Sequence, residues 1–131
     1  MKQGLFLLFI CLLFSSCKDV DDCTKTGQVQ IEEWFIADTA MINENIKINI
    51  KASATNLCWS DLYIELIEKE QREYSIKAYG TFTCCDGGCA CPMAMLYHDT
   101  VIDFQPSQRG TYIFNISELK NRIEVDTMIV K

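Results

Sequence analysis

Residues 45–52 alternate strictly between apolar and polar side chains, and this pattern constrains the fold more than any other. Isoleucine or alanine stands at 46, 48, 50 and 52, with asparagine or lysine at the positions between. Successive side chains of a strand point to opposite faces, so the pattern predicts a strand with one buried face. The same period predicts strands at residues 28–36, 45–52, 61–69, 74–82, 100–104, 112–116 and 123–130. The parity changes within the last strand, which predicts a β-bulge near Asp126 and Thr127.

Polar turn residues separate these strands, at positions 43–45, 70–72, 106–110 and 120–121. About seven short strands divided by turns are typical of an antiparallel β-sandwich. The chain has 131 residues, of which 49% are apolar and 23% charged, so it suffices for one globular domain. We therefore predict an all-β fold: an antiparallel β-sandwich of about seven strands.

The first 17 residues have the pattern of an export signal. Lys2 precedes ten consecutive apolar residues at 5–14, followed by Ser15, Ser16 and Cys17. A bilayer-spanning helix needs about 20 apolar residues, so ten indicate a signal peptide. Two small residues before a cysteine resemble the lipobox of bacterial lipoproteins, which implies a lipid on Cys17. The alternative is an ordinary secretory signal, with Cys17 free or in a disulfide. We divide the chain into a signal peptide (1–16), an acidic tether (17–27) and a domain (28–131).

The residues after Cys17 suggest where the protein is exported. Lys18 is followed by three aspartates within residues 19–22, which resembles the signal that sends lipoproteins of Bacteroidota to the cell surface. The resemblance implies the cell-surface side of the outer membrane. The alternatives are its periplasmic face and a plain acidic tether.

The charge balance bears on possible partners. Twelve basic and 18 acidic residues give a net charge of −6, and removing residues 1–16 takes one lysine and no acid, leaving −7. Nucleic-acid binding requires cations that displace counterions from phosphates, so this composition argues against it. An acidic surface also repels anionic headgroups, so we expect the body to stand off the membrane on its lipid.

Six cysteines remain beyond Cys17, and an even number in an exported protein predicts disulfides, with 15 possible connectivities. Four of them crowd into residues 84–91 around the turn-forming sequence Asp-Gly-Gly. A zinc site is an alternative, but all four thiols lie on one loop, whereas zinc sites usually draw pairs from two loops. A redox-active loop is the other alternative. The disulfide candidates are Cys23, Cys58, Cys84, Cys85, Cys89 and Cys91.

Short motifs in the predicted domain resemble known proteins. Gly110 lies two residues before Tyr112 at the start of a late strand, which resembles the tyrosine corner of immunoglobulin-like domains. Together with residues 56–62 and 91–92, this region is similar to small uncharacterised immunoglobulin-like lipoproteins of Bacteroidota. The resemblance implies an immunoglobulin-like antiparallel β-sandwich and the pair Cys58–Cys91, and it indicates no particular reaction. A pair Cys85–Cys89 across the glycine turn would then leave Cys23–Cys84.

Candidate catalytic residues are few. His98 is the sole histidine, no Gly-x-Ser-x-Gly motif occurs, and neighbouring residues on a strand place Asp99 on the opposite face from His98. No dinucleotide, phosphate or calcium motif is present in the sequence. We therefore predict that the protein is not an enzyme and has no cofactor or metal.

Aromatic residues are the remaining candidates for a binding face, although a small domain needs most of them for its core. These are Trp34, Phe35, Trp59, Tyr63 and Tyr79.

The sequence is best explained by a lipid-anchored cell-envelope protein with a non-catalytic binding or structural domain. Its partners would be the membrane, through lipid on Cys17, and an unidentified protein or glycan. The alternative function is that of a small envelope redox, metal-binding or inhibitor protein acting through the Cys84–Cys91 loop.

Overall fold

The structure, a computed structural model, describes residues 23–84 and 88–131. This part of the chain is nearly all β, as predicted, and each of the seven predicted strands is present. A 3-10 turn at Leu119–Asn121 precedes the last strand. The strands are β1 (Thr24–Phe35), β2 (Thr39–Ala40), β3 (Ile46–Ala54), β4 (Trp59–Glu70), β5 (Glu73–Thr83), β6 (Leu96–Phe104), β7 (Gly110–Ser117) and β8 (Ile123–Val130).

The strands form one mixed sheet that curls into a half-barrel. Its order is β2-β8-β7-β5-β1-β3-β6, and β4 pairs with β5. The pairs β5–β7 and β2–β8 are parallel, whereas the others are antiparallel. The predicted antiparallel sandwich of seven strands is therefore not confirmed in its arrangement. The eighth strand, β2, has two residues and is too short to show an alternation in the sequence.

The long first strand makes the curl possible. Residues 24–29 of β1 pair with β5, and residues 30–35 pair with β3. A bulge between Ile31 and Glu33 separates the two ladders, and bulges bend a strand and increase its twist. Because β1 begins at Thr24, residues 24–27, assigned above to the tether, already belong to the sheet.

The core lies inside the curl. Ile48, Ile76 and Ile116 have no exposed surface, and they come from three strands spread across the sheet. Four aromatic rings from β5, β6 and β7 meet there, with centroids 5.0 to 6.2 Å apart: Tyr74, Phe104, Tyr112 and Phe114. Each large apolar side chain buried in this way contributes about 1.5–3 kcal/mol. Burial, together with nearby Glu68, raises the pKa of the Tyr74 phenol above its ordinary value.

A hydrogen bond to Tyr112 fixes the turn before β7, as the resemblance to a tyrosine corner predicts. The backbone N–H of Gln108 donates to the hydroxyl of Tyr112 at 3.1 Å. Gly110 adopts φ +124°, a conformation that L side chains rarely adopt. A Cβ at that position would lie 2.0 Å from Nη1 of Arg72. The glycine therefore allows both the turn and the close approach of Arg72.

The bulge predicted near Asp126 and Thr127 is wrong. Strand β8 pairs with β7 without a register shift from Ile123 to Val130. Met128 and Val130 point into the core, whereas Ile123, Val125 and Ile129 are on the outer face and exposed. The change of parity thus reflects apolar side chains on the solvent side of a regular strand.

Candidate functional site: a groove on the outer face of β1, β3 and β6

The outer face of β1, β3 and β6 carries the candidate site. On β3, Ile46, Ile48 and Ile50 point into the core, so Lys47, Asn49 and Lys51 point outward. On β6 the exposed positions alternate as Tyr97, Asp99, Val101 and Asp103. The register places Val101 beside Asn49 and Asp99 beside Lys51. These side chains form one continuous surface opposite the core.

The bulge in β1 completes this surface. The extra residue, Glu32, accepts a hydrogen bond from the hydroxyl of Ser53, a buried polar side chain on β3. Beyond the bulge, Glu33 lies across from Lys51, and Phe35 lies across from Asn49. The one-residue insertion thereby places a carboxylate and an aromatic ring on the outer face.

A groove of about 330 Å³ opens on this surface. Phe35 is 64% exposed and Val101 is 53% exposed, and they lie on either side of Asn49. An apolar floor and wall with a few polar groups is the usual composition of a binding site. The groove is lined by Glu33, Trp34, Phe35, Asn49, Ile50, Lys51, Asp99, Thr100 and Val101.

Lys51 is the central charge of the groove. Its ammonium lies 3.7 Å from Oε1 of Glu33 and 5.0 Å from the ring centroid of Tyr97. Such exposed pairs contribute about 1 kcal/mol or less to stability. Their consequence is positional, because they hold the Lys51 ammonium beside a carboxylate and an aromatic ring.

The aromatic candidates from the sequence separate into exposed and packed residues. Phe35 lies in the groove, whereas Trp34 packs against the core and donates its Nε1–H to Asp126 at 3.2 Å. Trp59 packs on Phe82, with the ring centroids 5.1 Å apart.

Tyr63 and Tyr79 lie on a different part of the sheet, across the β4–β5 ladder. Their rings stack with centroids 5.7 Å apart, and Tyr63 is 41% exposed. The five aromatic candidates therefore do not form a single face.

The sequence interpretation missed Tyr97 and Val101 as members of the site. Both occupy the outward positions of β6, and the alternation Tyr-His-Asp-Thr-Val-Ile-Asp-Phe carries that signal. Residues 100–104 were predicted as a strand from their inward side chains alone. The same register places His98 on the inner side and Asp99 on the outer side of β6.

Two disulfides are defined in the described residues. Cys58 pairs with Cys91, as the family resemblance implied. This bond ties the start of β4 to residues 88–95, which lie outside any strand. The N–H of Leu57 also donates to the carbonyl of Pro92 at 3.1 Å. The disulfide and this hydrogen bond together fasten the loop to the sheet.

The other predicted pairings, Cys85–Cys89 and Cys23–Cys84, are wrong. Cys84 pairs with Cys89, their Cα atoms 5.6 Å apart. Cys23 is also disulfide-bonded, and its carbonyl accepts a hydrogen bond from the N–H of Cys84. Cys85 lies outside the described residues. The sequence does not say which of the two adjacent cysteines, Cys84 or Cys85, pairs with Cys89.

Several predictions concern residues outside those described, and one concerns metal. The signal peptide, the lipid on Cys17 and the charged run at 18–22 all lie outside the described residues. Within residues 23–84 and 88–131, no three His, Cys, Asp or Glu side chains are grouped closely enough to hold a metal ion. Within the same residues, no helix has the length and hydropathy to cross a bilayer.

Comparison of the chain with models of known protein families, with curated proteins and with solved structures found no match.

Proposed function

We propose that this protein is a lipid-anchored binding protein of the bacterial envelope whose domain is non-catalytic. The lipobox-like sequence ending at Cys17 supports the anchor. The disulfides Cys58–Cys91 and Cys84–Cys89 support an oxidising compartment, because disulfides persist there and are rare in the cytosol. The outer membrane, at the cell surface, is the location that fits the charged run after Cys17.

The binding face is the groove on β1, β3 and β6, and a glycan chain is its ligand class. The observation that carries this assignment is the exposed ring of Phe35 beside the polar side chains Asn49 and Lys51. A flat aromatic face packs against the C–H face of a sugar, while amide, ammonium and carboxylate groups bond its hydroxyls. The open, shallow shape of the face suits an extended chain.

Tyr97 extends this face along β6. It is 54% exposed and lies four residues from Val101, which is about 13 Å along a strand. Phe35 lies on β1, two strands away from β6, which adds about 10 Å across the sheet. The two rings therefore mark the ends of a surface long enough for several sugar units.

Co-sedimentation with polysaccharide isolated from the envelope tests the binding proposal. We expect Phe35→Ala to weaken retention about tenfold, since truncating an aromatic anchor of an interface often costs 1.4 kcal/mol or more. Tyr63→Ala is the matched control, because it removes an exposed aromatic from a different face. Equal retention of the two variants would contradict the assignment of the groove.

Detergent phase separation tests the anchor. Cys17→Ser should move the protein from the detergent phase to the aqueous phase, because the lipid is the only strong membrane anchor proposed. A variant that still partitions with detergent would disprove lipidation at Cys17. Protease treatment of intact cells distinguishes the two faces of the outer membrane, since a surface protein is digested and a periplasmic one is not.

An immunoglobulin-like relationship is part of the proposal. Its support is the bond from the Gln108 N–H to the Tyr112 hydroxyl and the division of β1 between two ladders.

A redox role for the Cys84–Cys89 bond is the second candidate. Cys89 is exposed, and the bond spans only five positions of the chain, so a thiolate can reach it. Titration with a dithiol measures its reduction potential. A potential within the range of thiol oxidoreductases would favour this role, and one below about −300 mV would identify a structural staple.

A further inference from the structure

The outer face of β7 and β8 carries no charge. Its outward residues on β7 are Thr111, Ile113, Asn115 and Ser117, and those on β8 are Ile123, Val125, Thr127 and Ile129. We call these eight residues the neutral face. The four aliphatic side chains are 36%, 59%, 61% and 51% exposed for Ile113, Ile123, Val125 and Ile129.

This composition is unusual for the chain. The whole sequence has a net charge of −6, and the outer face of β3 and β6 carries two lysines, each paired across the strands with an aspartate. On the β5 side, the neutral face is bordered by Glu73, which accepts a hydrogen bond from Asn115, and by Lys77, so the two border charges cancel. The four aliphatic side chains lie among three hydroxyl groups and one amide, so the face offers exposed apolar groups with no charge to oppose their burial.

The size of the neutral face argues against a second copy as its occupant. Two strands about 4.8 Å apart, each with eight residues of about 3.3 Å rise, present a footprint of about 250 Å². A stable protein–protein interface buries about 800 Å² on each partner. The neutral face is therefore large enough only for weak binding. Weak binding suffices where a separate link already holds the occupant close to this face.

The chain itself provides such a link. Cys17 is six residues from Cys23, the first described residue, so the connection spans at most about 20 Å. Residues 24–29 of β1 pair with residues 78–83 of β5, and residues 113–117 of β7 pair with residues 73–77, so Cys23 lies about 20 Å along β5 from Ser117, the near end of the neutral face. A bilayer at that face would be within reach of the lipid.

We propose that the neutral face docks on the lipid bilayer, which orients the domain. This inference rests on the proposed lipid anchor, because a tether raises the effective concentration of a weakly binding surface. The aliphatic side chains would enter the boundary between headgroups and acyl chains. The groove of β1, β3 and β6 lies on the other half of the curled sheet and remains available to a ligand. The net charge of the chain predicts a domain that stands off the membrane. The neutral face carries no charged side chain that anionic headgroups would repel, so the net charge does not oppose contact at this face.

Fluorescence quenching by brominated lipid tests the docking. The lipidated mature chain is reconstituted in phosphatidylcholine vesicles, with and without bromine near the top of the acyl chains. V125W places a reporter on the neutral face, and V101W is the matched control on the outer face of β6, since Val101 is 53% exposed. The parent chain, with its two tryptophans, supplies the background.

We expect bromine to reduce the added emission of V125W about twofold and that of V101W hardly at all, at low and at high salt, because side chains at the acyl boundary contact the quencher. I129W should repeat the V125W result if one substitution perturbs the strand. Equal quenching of V125W and V101W, or none in either, would overturn the docking while leaving the anchor intact. If the V125W emission changed with the density of protein on the vesicles and not with bromine, the occupant of the neutral face would be a second copy of the chain and not the bilayer. Failure of the protein to float with vesicles would overturn the anchor and the docking together.

Discussion

Removal of the Cys58–Cys91 bond should destabilise the domain more than removal of the Cys84–Cys89 bond. The first closes a loop of 33 positions and the second a loop of five. In the chain-entropy model a disulfide stabilises the folded state by lowering the conformational entropy of the unfolded chain, and this loss of entropy grows with the logarithm of the loop length. The model gives about 3.7 kcal/mol for the long loop and about 2.1 kcal/mol for the short one at 25 °C.

Guanidinium unfolding of the double variants C58S/C91S and C84S/C89S measures these values against the parent chain. Both variants remove a complete pair, so neither leaves an unpaired thiol from the bond it lacks. We expect a gap of about 1.6 kcal/mol between their free energies of unfolding, the short-loop variant being the more stable. Equal losses, or a larger loss for the short loop, would refute the entropic reasoning and point to strain or packing in the folded state.

Three further predictions concern the core. Phe114→Ala should lower the free energy of unfolding by about 3–5 kcal/mol, since this ring has no exposed surface. Ile113→Ala, on the outer face, should lower it by less than about 1 kcal/mol. Equal losses for the two variants would contradict the position assigned to the core. Tyr112→Phe should cost about 1 kcal/mol in the same denaturation assay by removing the acceptor for the Gln108 N–H, and no loss would mean that this bond contributes nothing. The folded state raises the pKa of the Tyr74 phenol, so stability should fall as the pH rises through and above 10; Tyr74→Phe should flatten this fall, and an unchanged pH dependence would contradict it.

The predicted strands follow from local information. The side chain of Ile48 faces the core and that of Lys47 faces outward because successive residues of a strand point to opposite sides. The alternation of apolar and polar residues therefore shows the two faces directly in the sequence. Turn positions such as Asn43, which adopts φ +62°, are likewise local and were predicted as turns. The bond made by Tyr112 spans four residues and was also within reach of the sequence.

Strand partners depend on contacts between distant residues. Strand β7 lies parallel to β5, and the residues that pair are about 40 positions apart, as with Glu73 and Ile113. No residue type or spacing specifies such a pair, so the predicted strands are confirmed whereas their arrangement as an antiparallel sandwich is not. In β8, apolar residues on the solvent side imitated a bulge, because hydropathy does not indicate what covers a face.

The residues of the groove likewise divide into those that the sequence pattern indicates and those that only the pairing of strands brings together. The polar positions Asn49 and Lys51 were evident from the alternation in residues 45–52. Their juxtaposition with Phe35 and Val101 required the bulge in β1 and the pairing of β6 with β3.

By itself, the sequence determined the strands, their faces and the turns. The tertiary structure decided which strands are neighbours, which of the adjacent cysteines turns toward Cys89, and which exposed apolar side chains share a surface. The physical reason is range, because side-chain alternation and turn geometry act within a few residues. Sheet order and the meeting of surfaces instead depend on long-range pairings whose loop-closure entropy and packing no local pattern records.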